Sequence, residues 1–164
     1  MKKHQRRYNL ILIVFFSLLL GCSIMLRPTN AVAQPEAKTI EMEGTDNLKF
    51  TVKEITARPG QKITVKLTTV SDYPKAAMAH NFVLLTADAD ATKVANLSAR
   101  AVENDYIAPS MTDRIIAYTA MAGGGETVEV TFKAPGEPGE YEYICTFPGH
   151  FAAGMKGTLI VEAK

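Results

Sequence analysis

The sequence predicts an all-β protein: a Greek-key antiparallel β-sandwich with one short inserted helix. Two observations lead to this prediction. After about residue 38, short apolar runs alternate with polar residues and are separated by turn sequences such as ARPGQ, AGGGE and APGEPGE. A single segment, DADATKVANLSARAVEN, has the apolar spacing of a helix instead. With 164 residues, the chain is long enough for one buried core, so one domain is expected.

The first predicted strands come from two runs that each place apolar residues at alternate positions. These runs are LKFTVKEI at 48–55 and KITVKLTTV at 62–70, and the turn sequence ARPGQ lies between them. The sequence therefore predicts a hairpin with one buried face. Five further strands are predicted at 81–85, 114–119, 127–132, 141–145 and 157–163.

The inserted helix is predicted within residues 88–104. Val94, Leu97 and Ala101 fall on one face of a helix with 3.6 residues per turn. Asp88 or Asp90 is available as the N-cap, because a short acidic side chain accepts hydrogen bonds from the first free backbone N–H groups.

Residues 1–26 are predicted to be an export signal or a membrane or lipoprotein anchor, because a basic start precedes a run without charge at 10–26. Three interpretations of its end remain open. Cys22 in LLLGCS resembles a lipobox, where the cysteine becomes lipid-modified. Ala31 and Ala33 in AVAQ fit ordinary signal cleavage before Gln34. The 17 apolar residues also just reach the length that spans a bilayer, roughly 17–25 residues.

All three interpretations place the rest of the chain outside the cytoplasmic membrane, in the periplasm or its equivalent. Attachment to the membrane, which the lipidated and the uncleaved forms imply, is expected. Residues 27–38 lack apolar periodicity and carry two prolines, so a tether is predicted there and the folded domain is assigned to 39–164. Loss of residues 1–33 removes five of the 18 basic residues and no acidic residue, leaving 13 against 17. A mildly acidic domain argues against nucleic acid as a partner.

Cys145 is the only cysteine of the predicted domain. A lone thiol outside the cytoplasm is exposed to oxidation and mispairing, so its presence needs a reason. His150 and Met155 follow it at intervals of five residues, across a Pro148-Gly149 turn. A loop between two strands can bring a thiolate, an imidazole and a thioether to one point.

His80 is the only other histidine of the domain, and it stands before an apolar strand from which it could reach the C-terminal loop from the opposite sheet. Two imidazoles, one thiolate and one thioether form the ligand set of a mononuclear blue-copper site. His4 is the third and last histidine of the chain, so no imidazoles remain for a second, oxygen-binding or nitrite-binding centre. Copper catalysis is therefore disfavoured and no enzymatic activity is expected.

Three segments resemble azurin-type cupredoxins over most of residues 40–163. YEYICTFPGHFAAGMKGTLIV resembles their C-terminal copper loop, AAMAHNFVLL resembles their upstream histidine segment, and NDYIAPSMTDRIIAYTAMAGGGETVEVTF resembles a further azurin stretch. The four residues between His150 and Met155 are one more than azurins have and match auracyanins, which are membrane-associated blue-copper proteins.

The resemblance implies one type 1 copper ion per chain, with His80, Cys145 and His150 as equatorial ligands and Met155 as the axial ligand. It also implies that two neighbouring residues, Asn81 and Thr146, hydrogen-bond across the site and orient the ligands. Ala79 stands where azurins have a glycine whose backbone carbonyl lies near the metal. Azurins also have a disulfide, for which this domain lacks a second cysteine.

The leading functional hypothesis is a blue type 1 copper electron carrier, which would exchange electrons with its redox partners through the exposed edge of His150. The residues flanking that edge are apolar or small and would form a docking patch: Pro148, Phe151, Ala152 and Ala153. The resemblance implies a quinol-oxidising membrane complex or cytochrome as the donor, an oxidase, reaction centre or cytochrome as the acceptor, and a monomer. Two alternatives are a periplasmic copper-binding or delivery protein without redox turnover and a metal-free interaction domain.

Overall fold

Two β-sheets packed face to face form the framework of the protein, whose computed structural model describes residues 35–163. In chain order the elements are β1 (Lys38–Thr45), β2 (Lys49–Phe50), β3 (Glu54–Ala57), β4 (Lys62–Val70), β5 (Ala79–His80), β6 (Val83–Leu85), α1 (Ala91–Ser98), two 3₁₀ turns (Val102–Asn104 and Pro109–Arg114), β7 (Ile115–Tyr118), β8 (Ala122–Gly123), β9 (Thr127–Lys133), β10 (Gly139–Ile144) and β11 (Lys156–Val161).

The first sheet has the strand order β2-β1-β4-β9 and the second the order β3-β11-β10-β6-β7, while β5 and β8 form a separate two-stranded ladder. Inward-facing residues of both sheets form one core, with Ile63, Val65 and Leu67 from β4 facing a layer that includes Tyr143 and Leu159. The predicted all-β sandwich with one short helix is thereby confirmed. Two strand pairs, β1 with β4 and β3 with β11, are parallel, and the other pairs are antiparallel.

The predicted hairpin of 48–55 with 62–70 is wrong. The first of these runs divides into β2 and β3, and β3 pairs with β11 in the second sheet, whereas β4 pairs with β1 and β9 in the first. Of the alternating residues Leu48, Phe50 and Val52, only Phe50 is fully buried, and the other two are partly buried. The alternation could not indicate that the chain crosses from one sheet to the other between Phe50 and the next buried residue, Ile55.

Strand β1 was missing from the predicted elements. Its register with β4 runs over all eight residues, from Lys38 beside Ile63 to Thr45 beside Val70. The strand begins at Lys38, the last residue assigned to the tether. Met42 is buried between two exposed glutamates, a short alternation that is easily overlooked because charged residues outnumber apolar ones.

Helix α1 is confirmed but is shorter than the segment that predicted it. Asp90 is its N-cap, and the Asp90 side chain accepts a hydrogen bond from the backbone N–H of Lys93 at 3.0 Å. The helix packs Val94 and Ala95 into a second, smaller apolar cluster beside Val83 and Ile144. This cluster supports the outer face of the second sheet behind β6 and β10.

No helix within residues 35–163 is long and apolar enough to cross a membrane. The predicted export signal or anchor at 1–26, with its proposed lipidation site Cys22, lies outside the described residues. Most of the predicted tether at 27–38 also lies outside them.

Candidate metal centre

Three metal-binding side chains meet at one end of the sandwich. The Sγ atom of Cys145 lies 3.5 Å from Nδ1 of His150 and 3.9 Å from Nδ1 of His80. The two imidazole rings have their centroids 4.9 Å apart. Among the described residues, these three form the one group of histidine, cysteine and carboxylate side chains that is arranged to hold a metal ion.

Strand pairing brings His80 and Cys145 together. Val83 of β6 pairs with Ile144 of β10, and the strands are antiparallel, so the residues before β6 and after β10 emerge at the same end of one sheet. His80 itself lies in β5, which belongs to neither of the two main sheets, so it approaches Cys145 from the separate ladder and not from a strand of the opposite sheet as expected. The short ladder of β5 with β8 then fixes the backbone at His80.

A tight turn returns the chain from Cys145 to Met155. The backbone N–H of His150 donates to the carbonyl of Phe147 at 3.1 Å, and Gly149 before it adopts a φ of +84°, which glycine reaches without strain. The N–H of Met155 donates to the carbonyl of His150 at 3.0 Å, and the Met155 carbonyl accepts from the N–H of Cys145 at 3.1 Å. These bonds place the backbones of Cys145, His150 and Met155 side by side.

All four predicted ligands are buried. His80, Cys145 and Met155 are 0% exposed, and His150 is 4% exposed. Burial lowers the pKa of His80 to about 4, against a smaller opposing effect of the Asp46 carboxylate. Burial also lowers the pKa of His150 to about 4, so both imidazoles are neutral near pH 7 and each has a nitrogen lone pair to offer.

The Cys145 thiol is held where its own ionisation is unfavourable. Burial raises its pKa to about 12, and the backbone N–H groups of Asn81 and Phe147, which favour the thiolate, only partly offset this effect. In the metal-free protein the sulfur is therefore protonated. A cation bound between the two imidazoles would displace that proton, because metal ligation requires the thiolate.

The residues present fit a copper ion. Nitrogen and sulfur ligands bind metal ions of this kind at about 2.0–2.3 Å, so two such ligands in a trigonal plane lie about 3.7 Å apart. The two observed sulfur-to-nitrogen distances, 3.5 and 3.9 Å, fall on either side of that value. One thiolate with two imidazoles is the trigonal set that selects copper in an electron-transfer site.

Asn81 and Thr146, predicted to bond across the site, do so. Asn81 Nδ2 donates to Thr146 Oγ1 at 2.8 Å, and the Thr146 backbone N–H donates to Asn81 Oδ1 at 2.9 Å. Thr146 Oγ1 in turn donates to the carbonyl of Tyr106 at 2.7 Å. Ala79, the residue before the first histidine, is buried and pairs with Gly123 across the short ladder.

Gly44 and Lys49 contact the site, although sequence reasoning did not identify them. A Cβ atom on Gly44 would lie 2.6 Å from Cδ2 of His80, so only glycine leaves room for that ring. Lys49 Nζ donates to the carbonyl of Ala153, between His150 and Met155. No local signal could reveal either contact, because both follow from strand pairing between distant parts of the chain.

The predicted docking patch lies around the small exposed edge of His150. Pro148, Ala152 and Ala153 are exposed. Phe151 is partly buried, and the ammonium group of Lys156 lies 5.5 Å from the centre of its ring. The exposed residues of the patch are thus small or apolar, and Phe151 and Lys156 adjoin them.

Comparison with protein families gives a match over residues 37–162 to the model described as "Copper binding proteins, plastocyanin/azurin family". Auracyanin-B of Chloroflexus aurantiacus is 35% identical over 81% of this chain, which spans 56% of that relative's length. Azurin of Alcaligenes faecalis is 37% identical over 73% of this chain and 94% of its own.

Solved structures show the same similarity. Auracyanin A, described as a "blue" copper protein from the green thermophilic photosynthetic bacterium Chloroflexus aurantiacus, superposes with a TM-score of 0.68 at 36% identity, covering 78% of this chain and all of its own. Dithionite-reduced auracyanin from Roseiflexus castenholzii gives a TM-score of 0.66 at 36% identity, covering 79% of this chain and all of its own. Similarity in sequence and in structure therefore converges on one group of proteins.

Proposed function

The chain belongs to the plastocyanin/azurin family of copper-binding proteins, its cofactor is copper, and we propose that it is a blue type 1 copper electron carrier working outside the cytoplasmic membrane. The observation that carries the proposal is the meeting of one buried thiol with two buried imidazoles at Cys145, His80 and His150. The assigned ligand roles, with Met155 as the axial ligand, are part of this proposal.

Copper, when bound, supplies a one-electron couple between Cu(II) and Cu(I). The protein's part is to keep the ligands in one geometry for both oxidation states, because any rearrangement slows electron transfer. His80 is fixed by the β5 ladder, and Cys145 is fixed at the end of β10 by its N–H bond to Met155. Soft sulfur ligands favour Cu(I), and imidazole ligands bind both Cu(I) and Cu(II). A site with both ligand types is therefore a compromise between the preferences of the two oxidation states.

Hydrogen bonds to the sulfur support the same role. The backbone N–H groups of Asn81 and Phe147 lower the pKa of Cys145, in opposition to burial, and so favour its thiolate. Such bonds, together with burial, set the reduction potential of a copper-thiolate centre. A cysteine enclosed in the protein would retain its copper ion, whereas a copper-delivery protein has to release the ion. The burial of Cys145 therefore supports an electron carrier over a copper-delivery protein.

Electrons would enter and leave at the edge of His150. Of the three converging side chains it alone reaches the surface, and the exposed residues around it, Pro148, Ala152 and Ala153, are small or apolar. A small apolar patch of this kind suits brief docking, because weak redox encounters use small interfaces. Phe151 adds apolar area at its margin.

We propose further that the carrier serves a membrane electron-transport chain. The donor would be a quinol-oxidising complex or a cytochrome, and the acceptor an oxidase, a photosynthetic reaction centre or a cytochrome. The similarity to auracyanins of photosynthetic bacteria supports this setting. Anchoring through residues 1–26, monomeric behaviour and the absence of catalysis complete the proposal.

The visible absorption spectrum tests this function directly. The purified metal-free protein receives one equivalent of Cu(II), then ascorbate, then an oxidant. An intense thiolate-to-copper band that bleaches on reduction and returns on oxidation is expected, and Cys145→Ser is expected to lose it while remaining folded. Copper binding without such a band would favour copper delivery, and no binding at all would favour the metal-free interaction domain.

A further inference from the structure

Lys49 forms a side-chain contact that joins the first sheet to the proposed ligand loop. Its Nζ donates to the backbone carbonyl of Ala153 at 2.5 Å, across a sequence separation of 104 residues. The lysine lies in β2, where Lys49 pairs with Thr45 of β1. The next residue, Phe50, is 2% exposed and packs against Tyr143, so the backbone that carries Lys49 is firmly placed.

The segment that Lys49 contacts is otherwise held by its own backbone. The N–H of Ala153 donates to the carbonyl of Gly149 at 3.0 Å, that of Gly154 to Phe151 at 2.8 Å, and that of Met155 to His150 at 3.0 Å. All of these bonds lie inside the turn, and the N–H of Cys145, which donates to the carbonyl of Met155 at 3.1 Å, ties the turn to the end of β10. The bond from Lys49 reaches the turn from the other sheet.

Gly154 makes this approach possible. Its φ is +88°, and a Cβ atom there would lie 2.8 Å from Lys49 Nζ. A side chain at this position would strain the backbone and crowd the ammonium group. The conformation of the turn and the position of the lysine therefore depend on each other.

A second lysine holds the other side of the turn. Lys156 lies over the ring of Phe151 and pairs with Glu142 at 2.7 Å. Both partners of Lys156 belong to the second sheet or to the turn itself. Lys49 thus links the turn directly to the first sheet, which also contributes Gly44 beneath the His80 ring.

We infer that Lys49 is a positioning residue for Met155, and through it for the copper centre. A shift of the Ala153 carbonyl would move Gly154 and Met155 with it, and the Met155 backbone bonds directly to Cys145 and His150. The inference rests on the proposed function in assigning Met155 to the metal. The placement of the turn itself does not depend on copper.

The test compares Lys49→Met with Lys49→Arg and Lys53→Met. Lys49→Met keeps the length of the aliphatic chain and removes the donor, whereas Lys49→Arg retains a donor. Lys53 is exposed and makes no ion pair or side-chain hydrogen bond among residues 35–163, so Lys53→Met is a control for the loss of one positive charge.

The first measurement is amide hydrogen exchange in the metal-free proteins. Lys49→Met is expected to raise the exchange rates of the Gly154 and Met155 amides by about tenfold or more, because the turn opens locally more often. Exchange in β4 and β10 stays unchanged, Lys49→Arg restores protection, and Lys53→Met resembles the wild type. Unchanged exchange in Lys49→Met overturns the inference.

The second measurement uses the copper-loaded proteins. Lys49→Met is expected to alter the intensity ratio of the charge-transfer bands and to shift the reduction potential more than Lys53→Met does. A shift equal to that of Lys53→Met with an unaltered spectrum would reduce the role of Lys49 to its charge and overturn the inference. A wild-type protein that shows no charge-transfer band would instead refute the proposed function, while the exchange measurement would still report on the turn.

Discussion

Asn81 and Thr146 exchange two hydrogen bonds across the base of the metal centre, one between their side chains and one from the Thr146 backbone to the Asn81 amide oxygen. The two residues follow His80 and Cys145 directly in the sequence. The pair therefore fastens the strand that carries one ligand to the loop that carries another. Since both residues are almost fully buried, water cannot replace either bond.

Replacement of Asn81 by leucine is expected to destabilise the metal-free protein by about 2 kcal/mol, because the buried N–H of Thr146 loses its acceptor. Copper should also be lost faster to a chelator, since His80 and Cys145 are no longer held together. Urea unfolding and chelator competition measure the two effects. The control is Thr68→Val, which removes an exposed bond to Thr127 and should change stability by less than about 0.5 kcal/mol. Equal stability of the two variants would contradict the role given to Asn81.

Met155→Leu is expected to keep the blue colour and raise the reduction potential by an amount on the order of tens of millivolts, because a weak axial thioether tunes the centre more than it holds the ion. The substitution nearly conserves volume in a fully buried site, so the fold should lose less than about 1.5 kcal/mol. Voltammetry and the absorption spectrum provide the measurements. Complete loss of copper would show that Met155 is a principal ligand.

Gly44→Ala is expected to push the His80 ring out of place. The new Cβ would lie 2.6 Å from Cδ2 and 2.7 Å from Cγ of the ring, and the ring is buried with no room to retreat. Overpacking of this kind costs about 1–3 kcal/mol. We expect lower stability together with a weakened charge-transfer band.

The matched control for Gly44→Ala is Gly136→Ala, since a Cβ there would meet nothing within 4 Å and its backbone is not left-handed. Thermal unfolding and the visible spectrum of both variants settle the comparison. If Gly44→Ala binds copper with the wild-type spectrum, His80 is not fixed by its contact with β1.

The proposed ligands were accessible from the sequence because most of them are close together in it. Cys145, His150 and Met155 are brought together by one turn, whose spacing is visible without knowledge of the fold. His80 lies far away, but the domain has no other histidine to supply the second imidazole. The small number of histidines in the domain thus identified His80 as a ligand, which sequence spacing could not do.

The parts that could not be predicted depend on pairing between distant strands. The alternation of Leu48, Phe50 and Val52 correctly marked Phe50 as buried, yet Phe50 and the equally buried Ile55 face the core from different sheets. Gly44 and Lys49 owe their contacts with His80 and Ala153 to the position of β1 and β2 beside the metal centre. Hydrophobic periodicity reports which side of a strand is buried and does not report its neighbour.

Ala152→Lys tests the docking patch through electron exchange between two copies of the protein. Two copper centres exchange electrons only when the protein surfaces nearest to them meet. That surface is the one around the exposed edge of His150. A lysine on each copy places like charges opposite one another and desolvates them in an apolar contact, so exchange should slow by about tenfold or more at low salt. Added salt should restore part of the rate, because it screens the repulsion. Line broadening of NMR signals in mixtures of reduced and oxidised protein measures the rate.

The control is Ala87→Lys, which adds the same charge on the turn after β6, at the end of that strand remote from His80. It should leave the rate unchanged. If both variants exchange electrons as fast as the wild type, electrons leave the protein by a route other than the His150 edge.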